Sequence, residues 1–136
     1  MEYGILEPDG KVRKVGVVEG AQFYSTPRAN NSRVINQTRL ADGRYFISTV
    51  FLMLNHGFMQ GQDIWFETLV FDNEPEDGSG ERKEIDGTRY STAAQARAGH
   101  AHYVKEIEAL IESKKEKEPE PIARAPLDGG RRKISI

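Results

Sequence analysis

Three histidines, an arginine–tyrosine pair and one glutamate set among apolar residues are the side chains of this 136-residue chain whose types and spacing suit chemistry. His56 closes an apolar run and opens a loop, with Asn55 beside it. From there an imidazole donates to a phosphate or carries a proton near neutral pH. The same placement suits better still a ring that caps the loop on backbone groups, and that reading is favoured. His100 follows Gly99 on what reads as the packed face of a helix, and Glu67 is the obvious carboxylate partner. A buried Glu67–His100 pair could act as base and acid, but such pairs are commonly structural, and neither a nucleophile nor a metal set accompanies it to specify a reaction. No catalytic residue is assigned, and the balance is against an enzyme. His100 and His102 lie two apart on a helix and point in different directions, so a metal would need His56, Glu67 and His100 to converge. No ligand-spacing motif supports that, and neither metal nor cofactor is expected.

Arg89 and Tyr90 immediately precede a helix start, where free N–H groups and the helix dipole attract anions. Arg89 offers a planar fork for phosphate, Tyr90 a stacking face, and Ser91 and Thr92 add hydroxyls. A ligand-binding corner of Asn55, His56, Arg89, Tyr90 and Thr92, helped by Arg28, is therefore the sharpest chemical expectation, with Arg33 and Arg44 as further charges. The competing reading makes Thr92 a plain helix cap and Arg89 the ion-pair partner of Glu67 or Asp86.

The elements that must hold these residues follow from the rest of the sequence. One core fits in a chain of this length, and 38% hydrophobic with 29% charged residues is near the globular average. Nineteen basic and twenty-one acidic residues leave a net charge of -2, which argues against a protein built to coat nucleic acid. There is no cysteine, hence no disulfide framework and no thiolate chemistry. The opening stretch lacks an apolar signal-like segment, and the longest apolar run, 50–54, is far short of the ~20 residues a membrane helix needs. The expected setting is the cytoplasm, without a membrane partner.

Residues 3–6 and 11–18 read as strands around Pro8-Asp9-Gly10, and 19–32 as a connection with one helical turn at 21–24 anchored by Phe23 and Tyr24. Residues 33–40 and 44–54 flank Ala41-Asp42-Gly43 as a second hairpin. In 44–54, and again in 64–71, both faces of the strand are apolar. One helix cannot cover both, so the second face calls for a partner subunit and a homo-oligomer is expected. Segment 73–87 is glycine-rich and charged and reads as a mobile excursion, while 55–63 is a contact loop carrying Phe58 and Met59. Thr92 and Gln95 form a capping box. Ala93, Ala96, His100, Tyr103, Val104, Ile107, Leu110 and Ile111 then recur at helical steps to about Lys117, a helix of roughly 39 Å at 1.5 Å per residue. The expected fold is α+β: an antiparallel sheet of four to five strands packed by one long C-terminal helix, in a single domain over 1–118. Pro119 and Pro121 open a tail over 119–136 whose Arg124, Arg131, Arg132 and Lys133 form the basic cluster, a weak phosphate-backbone binder or an arm for a neighbouring subunit.

Three strings carry a resemblance. STVFLMLNH from Ser48 to His56 is similar to STVFLGLDH, FETLVF from Phe66 to Phe71 to FETMVF, and RYST from Arg89 with Ala96, Ala98, Gly99 and His100 to RYSTWEEAEAGH. In order, they resemble a widespread family of small bacteriophage and prophage proteins over residues 48–100, with a weaker match at the opening YGIL. The departures are Asn55 for Asp, Met53 for Gly, Ala93 and Ala94 for Trp and Glu, and Asp72-Asn73 for Gly-Gly. In size, layout and phage setting the resemblance extends to anti-defence sponges that sequester nucleotide immune messengers, such as those of Thoeris. It implies an accessory protein that captures a cyclic nucleotide or cyclic ADP-ribose type of ligand without turnover. The alternative is an interaction protein that blocks a host defence protein or decorates a phage particle through the loop 55–63 and the tail.

Overall fold

The structure, a computed structural model, describes residues 2–27, 29 and 33–117. Arg28 and the tail 119–136 lie outside the described residues. The chain is α+β. A two-stranded hairpin, β1 (Tyr3–Leu6) and β2 (Val12–Val15), precedes helix α1 (Val17–Tyr24). A four-stranded antiparallel sheet follows in the order β3 (Val34–Leu40), β4 (Tyr45–Phe51), β5 (Phe66–Asp72) and β6 (Lys83–Tyr90). The long helix α2 (Ala93–Lys117) crosses one face of that sheet.

The turns follow from their residues. Gly10 takes a φ of 88° and donates to the Glu7 carbonyl at 2.9 Å, closing the first hairpin. Ala41, Asp42 and Gly43 all adopt positive φ between β3 and β4, the conformation that Asp and Gly tolerate best. At the start of α2 the capping box forms as expected: Thr92 Oγ1 accepts from Gln95 N, and Gln95 Oε1 accepts from Thr92 N, each at 3.1 Å.

Alternation in β4 and β5 decides which side chains α2 covers. Tyr45, Ile47, Thr49 and Phe51 pair across the ladder with Asp72, Val70, Thr68 and Phe66, and all eight are buried. Two apolar clusters result. Phe51, Trp65 and Phe66 pack with Ala93 and Ala96 near the start of α2, while Tyr45, Ile47 and Val70 pack with Tyr103 and Ile107 further along. Between them lies a polar stratum of Thr49, Thr68 and His100, each almost fully buried. On the opposite face, with Phe46, Ser48 and Val50 on β4 and Glu67, Leu69 and Phe71 on β5, no helix among the described residues packs; the side chains of Arg39 and Arg82 lean over its two phenylalanines, and Phe46 is buried.

Several expected boundaries are corrected. Val17 and Val18 do not extend a strand. They begin α1, because Gly16 breaks the pairing and Glu19 favours a first helical turn, and both are exposed. The strand expected over 44–54 stops at Phe51, since the backbone turns out of the sheet at Met53, whose φ is 69°. The second apolar strand runs Phe66–Asp72. The largest correction concerns 73–87: Lys83–Tyr90 is an edge strand paired to β5 along its length. An edge strand with one solvated side needs no apolar alternation, so its charge and glycine disguise it. Both outer strands are irregular, with register shifts between Val34 and Asn36 on β3 and opposite Val70 and Phe71 on β5, where Ile85 of β6 is the extra residue. Among the described residues no helix is long and apolar enough to cross a membrane.

Candidate functional site

The residues singled out by sequence separate into three places. The first is the sheet–helix interior. Tyr90 sits at the end of β6 and donates through its hydroxyl to Thr68 Oγ1 at 3.1 Å. Thr68 and Thr49 hydroxyls are 2.6 Å apart, Thr49 lies 2.7 Å from His100 Nδ1, and His100 Nε2 lies 2.8 Å from Thr38 Oγ1. A neutral imidazole satisfies this chain by accepting at one nitrogen and donating at the other. Burial alone pushes the His100 pKa below its usual 6.5, which favours that neutral ring. The three strings that carry the sequence resemblance therefore meet here. Thr49 comes from the first, Thr68 from the second, and Tyr90 and His100 from the third, with Gly99 leaving room for the Tyr90 ring.

The Glu67–His100 pair does not form. Alternation along β5 turns Glu67 to the open face, where its carboxylate accepts from Arg89 Nε at 2.9 Å, while His100 lies under the other face among threonines. The reading of Arg89 as an ion-pair partner of Glu67 is the one the geometry realises. His56, exposed in its loop, does not join them, and no group of three acidic or histidine side chains among the described residues is placed to hold a metal.

The second place is the corner at the start of α2. Arg89 and Tyr90 are neighbours on a strand and so point to opposite faces, Arg89 to the open face and Tyr90 under the helix. They do not line one pocket. The capping box engages the backbone N–H groups of Ser91, Thr92 and Gln95, and Ser91 Oγ donates to the Asp63 carbonyl at 2.5 Å. A cavity of about 480 Å³ opens beside this corner between Lys11, Val12, Asp63, Trp65, Ser91 and Thr92. Its charged walls are of both signs, and the Asp63 carboxylate, paired with Lys14 at 3.0 Å, is held below the usual carboxylate range by Lys14 and then by Asn55. Arg44 is elsewhere, forked onto Asp72 by two bonds of 3.0 Å, and Arg33 donates to the Phe51 carbonyl at 3.4 Å.

The third place is the loop 55–63. Asn55 is 8% exposed and works as a clip. Its Oδ1 accepts from Gly57 N at 3.0 Å and Ile64 N at 2.9 Å, and its Nδ2 donates to Glu2 Oε1 at 2.8 Å and Asp63 Oδ1 at 2.9 Å. Backbone bonds from His56 N to Ile64 O and from Asn55 N to Glu2 O close the base of the loop. Gly57 is required because a side chain there would run into the Gln62 carbonyl. The loop tip is the 3₁₀ turn Phe58–Gln60, and it presents Phe58 and Met59 at 48% and 88% exposure. Asn55, expected at a ligand site, is here engaged at both ends of its amide. The signal for the clip was Asn next to His-Gly, the composition of a loop whose backbone donors need a local acceptor. Compared with known proteins, the chain matches no family model, no curated protein and no solved structure.

Proposed function

We propose that this protein is a non-catalytic docking protein of the phage accessory kind, which blocks a host defence protein or decorates a phage particle through the loop 55–63. The phage setting rests on the three resembling strings. The single observation behind the docking reading is the preorganised display of Phe58 and Met59 above the Asn55 clip. Two large apolar side chains held out on a braced turn lose little further freedom on binding, and Met adapts to irregular partner surfaces. His100, by contrast, sits among buried threonine hydroxyls, and Arg44, Asp63 and Asp72 are held in ion pairs, which supports a structural task for them and not turnover.

A second reading, capture of a small anionic nucleotide, is favoured by one observation: the corner cavity beside Ser91, Thr92 and Lys11. In that reading Lys11 and the two hydroxyls meet the phosphates, and Trp65 supplies the inner wall.

The two readings separate in a paired experiment. Tagged chain and a Phe58→Asp/Met59→Asp variant are expressed in infected bacteria. Capture of one stoichiometric protein by the former and its loss in the latter, at unchanged melting temperature, is the expected result. Native mass spectrometry against cyclic nucleotides and cyclic ADP-ribose isomers follows on the same samples. Retention of a nucleotide, weakened by Lys11→Ala and indifferent to the loop variant, replaces docking with capture.

A further inference from the structure

The kink in β6 leaves an apolar side chain at the rim of the sheet. Ile85, the extra residue opposite Val70 and Phe71, is 40% exposed and belongs to neither apolar cluster. It divides two shallow hollows. One, of about 460 Å³, lies on the open face at Leu69 and Gly87, and the other, of about 290 Å³, lies between Pro75, Glu76 and Lys114. The charge around them is unbalanced. From Asp72 to Asp86 the chain carries seven carboxylates against Arg82 and Lys83. Arg44 meets Asp72 and Lys114 meets Glu76, which leaves an excess of three negative charges. Glu74, Glu81 and Glu84 are exposed and form no ion pair among the described residues.

We propose that the segment 129–136 of the same chain docks on this rim, with Arg131, Arg132 and Lys133 on the surplus carboxylates and Ile134 against Ile85. The segment holds three cations and no acid, the complement of the excess it meets. Two isoleucines follow its cations closely, so it covers Ile85 as well as neutralising the border. Helix α2 delivers it to the place. Lys114 Nζ lies 3.3 Å from Glu76 Oε2 and lines the same hollow as Ile85, and the described chain ends three residues later. The 13 residues between Lys117 and Arg131, three of them proline, reach up to ~40 Å at ~3.1 Å each, ample for the return. Because the bulge denies a straight backbone ladder, the contact is made by side chains. Exposed ion pairs are individually weak, but a flexible link of this length holds the segment at roughly millimolar effective concentration, so a millimolar contact is about half formed. This docking does not depend on the loop reading above.

The chain has no cysteine, so Ser135→Cys gives a single attachment point for a nitroxide spin label. In the labelled, nitrogen-15 protein at ~0.01 M salt, where charges act over ~30 Å, the amide signals of Ile85 and Gly87 are expected to lose about half their intensity while that of Gly61, in the loop 55–63, keeps its own. At ~1 M salt, where the range is ~3 Å, the lost intensity should return. It should also return at low salt in Glu81→Lys/Glu84→Lys, both exposed positions, and in Arg131→Glu/Arg132→Glu/Lys133→Glu, whose changes lie outside the described fold. The remaining amide signals and the melting temperature monitor folding, and the tail variant decides alone should the sheet variant unfold. A nitrogen-15 chain without the label, mixed with labelled chain at natural abundance, is expected to show no loss. Full intensity at low salt overturns the proposal, as does a loss that survives charge reversal. A loss seen equally in the mixed sample overturns it too, by assigning the rim to another chain's tail.

Discussion

The phenol of Tyr90 passes over Gly99, so α2 approaches the end of β6 only because residue 99 has no side chain. That contact fixes where the hydroxyl of Tyr90 meets Thr68, and through Thr68 and Thr49 it sets the position of His100.

Gly99→Ala is therefore expected to destabilise the fold by about 2 kcal/mol, an overpacking cost that outweighs the gain in helix propensity. The melting temperature should fall by roughly 8 °C. Combined with Tyr90→Ala the loss should be less than additive, since the obstructing ring is gone. An additive pair, or a stabilised single variant, would show that the helix shifts freely at this point.

His100 makes stability depend on pH. Its folded pKa lies below the unfolded value of about 6.5, so between the two the unfolded chain binds a proton that the folded chain does not. Stability is thus full above about pH 6.5 and falls as the pH drops towards the folded pKa, with a slope of at most ~1.4 kcal/mol per pH unit from this group. Urea midpoints between pH 8 and pH 5 should show the decline, and His100→Gln should flatten that part of the curve. An unchanged slope in the variant would assign the dependence to other groups.

Met53 occupies left-handed backbone, with φ at 69°, while its carbonyl accepts from Gly4 N at 2.8 Å. A Cβ in that region costs about 1 kcal/mol that glycine does not incur. Met53→Gly is expected to raise stability by roughly that amount, less the added freedom of the unfolded chain. A loss in chemical denaturation would mean that the side chain, only partly exposed, contributes more packing than its backbone costs.

Asn55 donates to two carboxylates, those of Glu2 and Asp63. Asn55→Asp keeps both accepted bonds but replaces the donor with a third negative group, at an expected cost of about 2 kcal/mol at pH 7. Protonation should return part of it, so the deficit relative to wild type should shrink near pH 4. Hydrogen exchange at Gly57 and Ile64 reports the clip directly, and unaltered protection at pH 7 would refute the clip as described.

Much of the frame was legible in sequence because it rests on local chemistry. The capping box of Thr92 and Gln95, the Asp-Gly turns and the helical recurrence from Ala93 to Ile111 each have one strong structural solution. β6 was hidden because an outer strand borrows its order from its neighbour, and Lys83–Tyr90 contains no apolar alternation. The site residues were harder for a geometric reason. Adjacent letters such as Arg89 and Tyr90 invite a shared role, yet on a strand they belong to different surfaces. Conversely, Thr38, Thr49 and Thr68 are far apart in sequence and look unremarkable there, but register brings them to one imidazole. Threonine on the buried side of a strand, repeated on neighbouring strands, was the available signal.

The irregular outer strands also limit how far this molecule can grow. With an extra residue kinking β6 at Ile85 and another disturbing β3 near Ile35, neither border offers a straight row of backbone donors and acceptors to a newcomer. Ribbon-like polymerisation is thereby discouraged at both margins of the four-stranded sheet.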